Sequence, residues 1–215
     1  MRWSAWCIAA VSGDTPGGSS GKGKAMTVAT YLLLILGVCG AIDILLYHSV
    51  SHGIRTHPDS RQELIVHSLR GPTYATLFVL VPNFALHGAF FWLLMALFAV
   101  DIVISIWDFM IERDSRAFLG GLPSGEYVLH MIIGMLFGGL VTSVCLNAGS
   151  WAALPTHFAY APAGVPLLLR LAMGIMALIV LYSGALDAAA AIRLGRLPGG
   201  GRAVEGGLAD TQMHP

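Results

Sequence analysis

Charge is what this chain of 215 residues has least of: Asp, Glu, Lys and Arg together make up 11% of it, against about 25% in an ordinary soluble domain. So sparse a set cannot dress the surface of a water-soluble globule. Twelve basic and twelve acidic residues cancel to a formal charge of zero, and no basic run is interleaved with aromatics, which argues against nucleic acid as a partner. Cysteine is equally scarce. Cys7, Cys39 and Cys145 lie far apart, in or beside apolar runs, so there is neither a CxxC metal site nor a disulfide framework, and they read as small hydrophobes. What remains is apolar: 56% of residues are hydrophobic and the mean hydropathy is +0.73. Such a chain belongs in a membrane.

The apolar runs are long enough to cross a hydrocarbon core of about 30 Å and predict five spans near 27–47, 63–82, 89–112, 126–146 and 166–187. The expected fold is an all-α, polytopic transmembrane helix bundle over residues 26–196. Residues 1–25, Gly/Ser-rich after a short apolar run, read as a flexible tail or as sequence preceding a true start at Met26. Residues 197–215, Gly-rich and polar, read as a disordered tail. Asp59 or Ser60 is placed to cap the second helix, and Gly71-Pro72 to kink it. Gly134 and Gly138 form a small-xxx-small pattern that predicts close packing of another helix. Residues 83–88 read as a short turn and 147–165 as an interfacial loop, with Arg170 snorkelling beyond it.

Five spans put the termini on opposite sides. One side collects Arg55, Arg61, Arg113, Arg116, Arg193, Arg196 and Arg202, so the positive-inside rule makes it cytoplasmic and the N-terminus external. The expected location is a plasma membrane of the bacterial inner type. The same side collects the ionisable residues: His48 and His52, Glu63, His67 and Arg70, Asp108 and Glu112, Glu126 and His130, and Asp187, with Asp101 deeper in its span. Asp101, Asp108 and Glu112 fall within about 20° of one helical line at about 100° per residue.

Each ionisable group costs about 2.5 to 3.5 kcal/mol at a span centre, so these must face one another or water. Glu112 and Glu126 are shallow enough to reach the interface and carry less weight than Asp101, His67, Asp108 and His130. Asp43 lies about 140° from His48 on an α-helix, which makes it a partner for a neighbouring helix rather than a co-ligand. Imidazole and carboxylate presented by several helices is a shell suited to iron, manganese or zinc. Glu63/His67 and Glu126/His130 are E-x-x-x-H pairs and His48/His52 an H-x-x-x-H pair, each offering two ligands from one helix face. Candidate metal ligands are therefore His48, His52, Glu63, His67, Asp108, Glu112, Glu126 and His130. Buried acid–base pairs also hold helices together without metal, and Arg70 is placed to neutralise Asp101 or Asp108. His57, His87, His157 and His214 read as bystanders, and Tyr74, Tyr127, Trp92 and Trp107 as packing or interfacial groups.

Ser115-Arg116 and Pro123-Ser124-Gly125 resemble pieces of the membrane phosphatidic-acid phosphatase signature, but Glu126 stands where that signature has histidine and the order is reversed. His48-x-x-x-His52 resembles one box of the membrane fatty-acid hydroxylases, whose repeated H-x-x-H-H boxes are missing. Three functions stay open on the residues alone. The first is a metal-dependent, di-iron-like membrane enzyme, oxidoreductase or hydrolase, with iron preferred to manganese or zinc, acting on a lipid or another hydrophobic small molecule. The second is a small transporter or proton relay with Asp101 and Arg70 as the working pair. The third is a structural or assembly subunit of a membrane complex.

Overall fold

Five helices long and apolar enough to cross a membrane carry the fold. They are seen in a computed structural model that describes residues 18–51, 53–115, 121–161 and 164–196. The expected tail at 197–215 and most of that at 1–25 lie outside the described residues, as do His52 and Arg116. Helix α1 spans Gly18–Asp43, so it already includes the last residues of the Gly/Ser-rich stretch. It continues into a π-helix over Ile44–Ser51. Two single 3-10 turns, Ile54–Thr56 and Pro58–Ser60, lead into α2, Arg61–Asn83. Then come strand β1, Phe84–His87, α3, Ala89–Ser115, and α4, Ser124–Ala148. Strand β2, His157–Tyr160, precedes α5, Leu167–Gly195.

Leu and Ala are the commonest residues of these helices and favour them intrinsically, and the helices are apolar on all faces, as spans that face lipid on one side and a bundle on the other would be. The outward residues include Trp92, Leu93, Met110, Leu168 and Leu178, each more than half exposed. Inside, Leu33 and Leu36 of α1, Leu77 and Phe78 of α2, Leu94 and Phe98 of α3, Phe137 and Leu140 of α4 and Met173 of α5 form one dry core. Phe98 meets Phe137 edge to face at 5.8 Å between centroids.

The start of α2 falls where Asp59 and Ser60 predicted it, but Ser60 makes no side-chain cap. Its hydroxyl instead accepts from Ser115 Oγ at 3.0 Å, which ties the ends of α2 and α3. Pro72 sits inside an unbroken helix. The segments read as a turn and a loop contain paired strands: β1 and β2 are antiparallel, with Phe84 opposite Tyr160 and His87 opposite His157. Four residues are too few for a period-2 pattern to show in sequence. The pair closes one end of the bundle, and Arg170 fastens α5 to it through Asn83 Oδ1 at 2.8 Å and the Tyr160 hydroxyl.

The close helix approach is not where the small-xxx-small pattern put it. A Cβ placed on Gly134 or Gly138 meets no atom within 4 Å, whereas one on Gly71 meets Val180 O at 3.1 Å and the Gly184 Cα at 3.3 Å. Glycines of α2 and α5 thus face each other where the two helix backbones meet. Gly71→Leu is expected to force these helices apart and cost about 1 to 3 kcal/mol, read as a lower melting temperature in detergent. An unchanged melting temperature would mean the contact is looser than this.

Candidate metal centre

The end of the bundle opposite the strands holds the ionisable residues, and the π-helix sets their arrangement. A π-helix bonds i to i+5, so residues five apart stack on one face. Asp43 and His48, five apart across its start, consequently point the same way, and the 140° separation expected on α geometry does not apply. His48 Nε2 lies 3.4 Å from Asp43 Oδ2, 3.8 Å from Glu63 Oε1 and 3.6 Å from Glu126 Oε1. His130 bridges two helices, with Nε2 at 3.3 Å from Asp43 Oδ2 and Nδ1 at 3.4 Å from Glu112 Oε2. The His67 ring stacks on His48 at 4.4 Å between centroids. Three sets of ligand atoms each fall within 4.8 Å of one another: His48, Glu63 and His67; Asp43, Glu126 and His130; His48, Glu112 and Glu126.

These spacings bear on chemistry. His130 Nε2 and Asp43 Oδ2, at 3.3 Å, make a long hydrogen bond, but the other N···O distances, 3.4 to 3.8 Å, lie beyond the usual range of about 2.7 to 3.2 Å. They are close to the edge of a tetrahedron, about 3.4 Å, traced by ligands with bonds of about 2.1 Å to a central ion. His48 is 4% exposed, and neither of its nitrogens makes a hydrogen bond among the described residues. Four buried carboxylates, Asp43, Glu63, Glu112 and Glu126, meet three imidazoles, His48, His67 and His130. Each charge removed from water costs several kcal/mol unless compensated, and a donor set of this composition is one that a divalent cation accepts.

The candidate ligands divide on this geometry. His48, Glu63, His67, Glu112, Glu126 and His130 come together. Glu112 and Glu126 are 3% and 0% exposed, so they do not escape to the interface; Glu112 turns to His130 of α4 and Glu126 to His48 of the π-helix. Asp108 stands outside the three ligand sets. It accepts from Arg70 Nη1 at 3.0 Å and lies 3.5 Å from His67 Nε2. Asp101 is 3.7 Å from Arg70 Nε and accepts from the Tyr74 hydroxyl at 3.1 Å, and Arg70 Nη2 donates to Ser105 at 3.0 Å. Arg70 therefore neutralises both aspartates. Asp43 is the ligand candidate that sequence reasoning missed; the signal was an acid in an otherwise apolar span. Asp187 belongs to a separate pair with Arg55, at 2.7 Å.

A cavity of about 550 Å3 leads to this end of the bundle, reaching Asp43, His67, Asp101, Asp108 and His130 among largely apolar walls. The cluster is thus buried yet approached from one side. The chain matches no protein-family model, no curated protein and no solved structure, so its functional reading rests on five apolar helices and a buried His/carboxylate constellation able to hold a metal.

Proposed function

We propose that this is a multi-pass integral membrane protein that holds one or two transition-metal ions within the His/carboxylate cluster. The carrying observation is His48 Nε2, ringed at 3.4 to 3.8 Å by carboxylates from three helical elements. That is ligand-edge spacing rather than hydrogen-bond spacing. Mixed imidazole and carboxylate donors favour iron over zinc, although manganese shares the preference. The ion would supply Lewis acidity or redox chemistry in a membrane enzyme acting on a lipid or similarly hydrophobic molecule. Arg55, Arg61, Arg193 and Arg196 crowd the cluster end, with Arg193 donating to Arg55 O at 2.8 Å and Arg61 to Ala191 O at 3.2 Å. By the positive-inside rule that end faces the cytoplasm and the N-terminus lies outside.

Metal analysis of protein purified gently in detergent is expected to give about one or two ions per chain, iron foremost. Metal below about a tenth of an ion per chain after expression in iron-, manganese- and zinc-replete medium would sink the proposal.

The contacts Tyr74–Asp101–Arg70–Asp108–His67 favour a second reading, a proton or ion path. Beyond Tyr74 the bundle is filled by Phe78, Phe98 and Phe137, which weakens it as a route across the membrane. Transport predicts that Asp101→Asn abolishes flux in proteoliposomes with metal content unchanged; under the metal reading wild-type vesicles carry no flux above background.

A further inference from the structure

The cavity beside the cluster is larger and more apolar than an ion or water requires. Its volume is about 550 Å3, and a cavity of about 150 Å3 holds one benzene ring, so there is room for roughly twenty carbon atoms. Its lining changes along its length. Asp43, His67 and His130 stand at one end, while Leu36 and Phe137, seven residues farther along the same helices, make the other. At 1.5 Å per residue that is about 10 Å of bore, apolar except along the α2–α3 wall, where Arg70, Tyr74 and Asp101 bond one another, and a chain longer than the bore lies bent within its width. Its rim includes Leu45, Ile106, Phe109, Ile179 and Tyr182, all of them exposed on the flanks of the bundle within candidate membrane spans. Access is sideways, from where lipid chains would lie.

Two glycines line the bore, Gly40 in α1 and Gly134 in α4. A mid-helix glycine costs about 1 kcal/mol relative to alanine, and is usually offset by a close approach of another helix. Neither glycine has one: a Cβ at either position meets nothing within 4 Å among the described residues. What the missing side chains leave is space in the cavity. Both arginines that line it are already ion-paired, Arg55 with Asp187 and Arg70 with Asp101 and Asp108, and the remaining charged lining groups include Asp43. An anionic head group finds no unpaired arginine there.

We infer that the cavity binds a single long hydrocarbon chain with a neutral polar end, the chemistry of a long-chain alcohol, with that end against Asp43, His67 and His130 and with Gly40 and Gly134 keeping the bore open. What happens to the chain rests on the metal reading above; its binding does not. The test uses the full chain in detergent and a hexadecanol bearing a diazirine near its tail. Photolysis is expected to label peptides carrying Leu36 or Phe137, with competition by plain hexadecanol. Gly40→Leu and Gly134→Leu should each cut labelling about tenfold or more by filling the bore, while the metal content of the same samples stays at the wild-type value and so reports an intact fold. Gly138→Leu, also with open space at its Cβ but outside the lining, should label like wild type. Failure of the wild type to label these peptides, or undiminished labelling in Gly134→Leu, overturns the proposal whatever the metal content. Glycine-sensitive labelling of a metal-free wild type supports chain binding and removes the metal reading alone. Stronger competition by hexadecanoate than by hexadecanol overturns the assignment of a neutral end.

Discussion

His48→Ala is expected to abolish metal binding, taking bound metal from about one or two ions per chain to less than about a tenth and lowering affinity more than 100-fold, since loss of a mere supporting group around a metal already costs about 10- to 100-fold. The expectation follows from position. His48 belongs to two of the three ligand sets, and its Nε2 lies within 3.8 Å of Asp43, Glu63 and Glu126 at once. Its removal takes from the site the one nitrogen donor that faces carboxylates of three helical elements. A ligand that binds only the native state stabilises it by about 2.7 kcal/mol at a hundred times its dissociation constant. Chelation should therefore lower the wild-type melting temperature, and His48→Ala should start at the lowered value and ignore the chelator. An equal chelator response in both proteins would place any metal elsewhere.

Arg70→Met carries the second largest expected effect, and it is on stability. The guanidinium lies 3.0 Å from Asp108 and 3.7 Å from Asp101, whose side chains are 6% and 2% exposed. Removing one partner of a buried ion pair costs about 3 to 5 kcal/mol, because the other charge is stranded rather than because the pair itself was strongly stabilising. Here two carboxylates would be stranded, of which Asp108 lies 3.5 Å from His67. Arg70→Met should therefore unfold at markedly lower temperature, and Arg70→Met with Asp108→Asn should regain part of the loss. If the double variant is no better than the single one, the aspartates are not what Arg70 neutralises. His67 is within 3.5 Å of Asp108, so metal content in Arg70→Met should fall less than in His48→Ala. Arg70 acts on the cluster only through that pair.

Much of this site was legible before any tertiary contact was known. An acid or imidazole in an apolar span has few places to go, and topology alone gathered Glu63, His67, Glu112, Glu126 and His130 at one end. Asp43 was misplaced because five residues on an α-helix subtend an angle that five residues across a π-helix do not. Glu112 and Glu126 were undervalued because depth along a helix axis says how near water a residue is, not whether a neighbouring helix covers it. Gly134 read as a contact residue because spacing cannot say whether the facing partner exists. In the described chain that partner role belongs to Gly71 and Gly184.

By itself the sequence determined the number of helices long and apolar enough to cross a membrane and the end at which charge collects, because each follows from composition or from periodicity along one helix. Only the tertiary structure decided which carboxylate serves which base. Asp101 and Asp108 share a stripe with Glu112, yet the first two turn to Arg70 and the third to His130. It also decided that Asp43 joins the cluster, that two short strands close the far end, and that a chain-sized cavity runs up to the imidazoles. The physical reason is that pairing depends on distances between helices, and the π-helix and the Gly71–Gly184 contact set those distances without leaving a trace in the hydrophobic pattern.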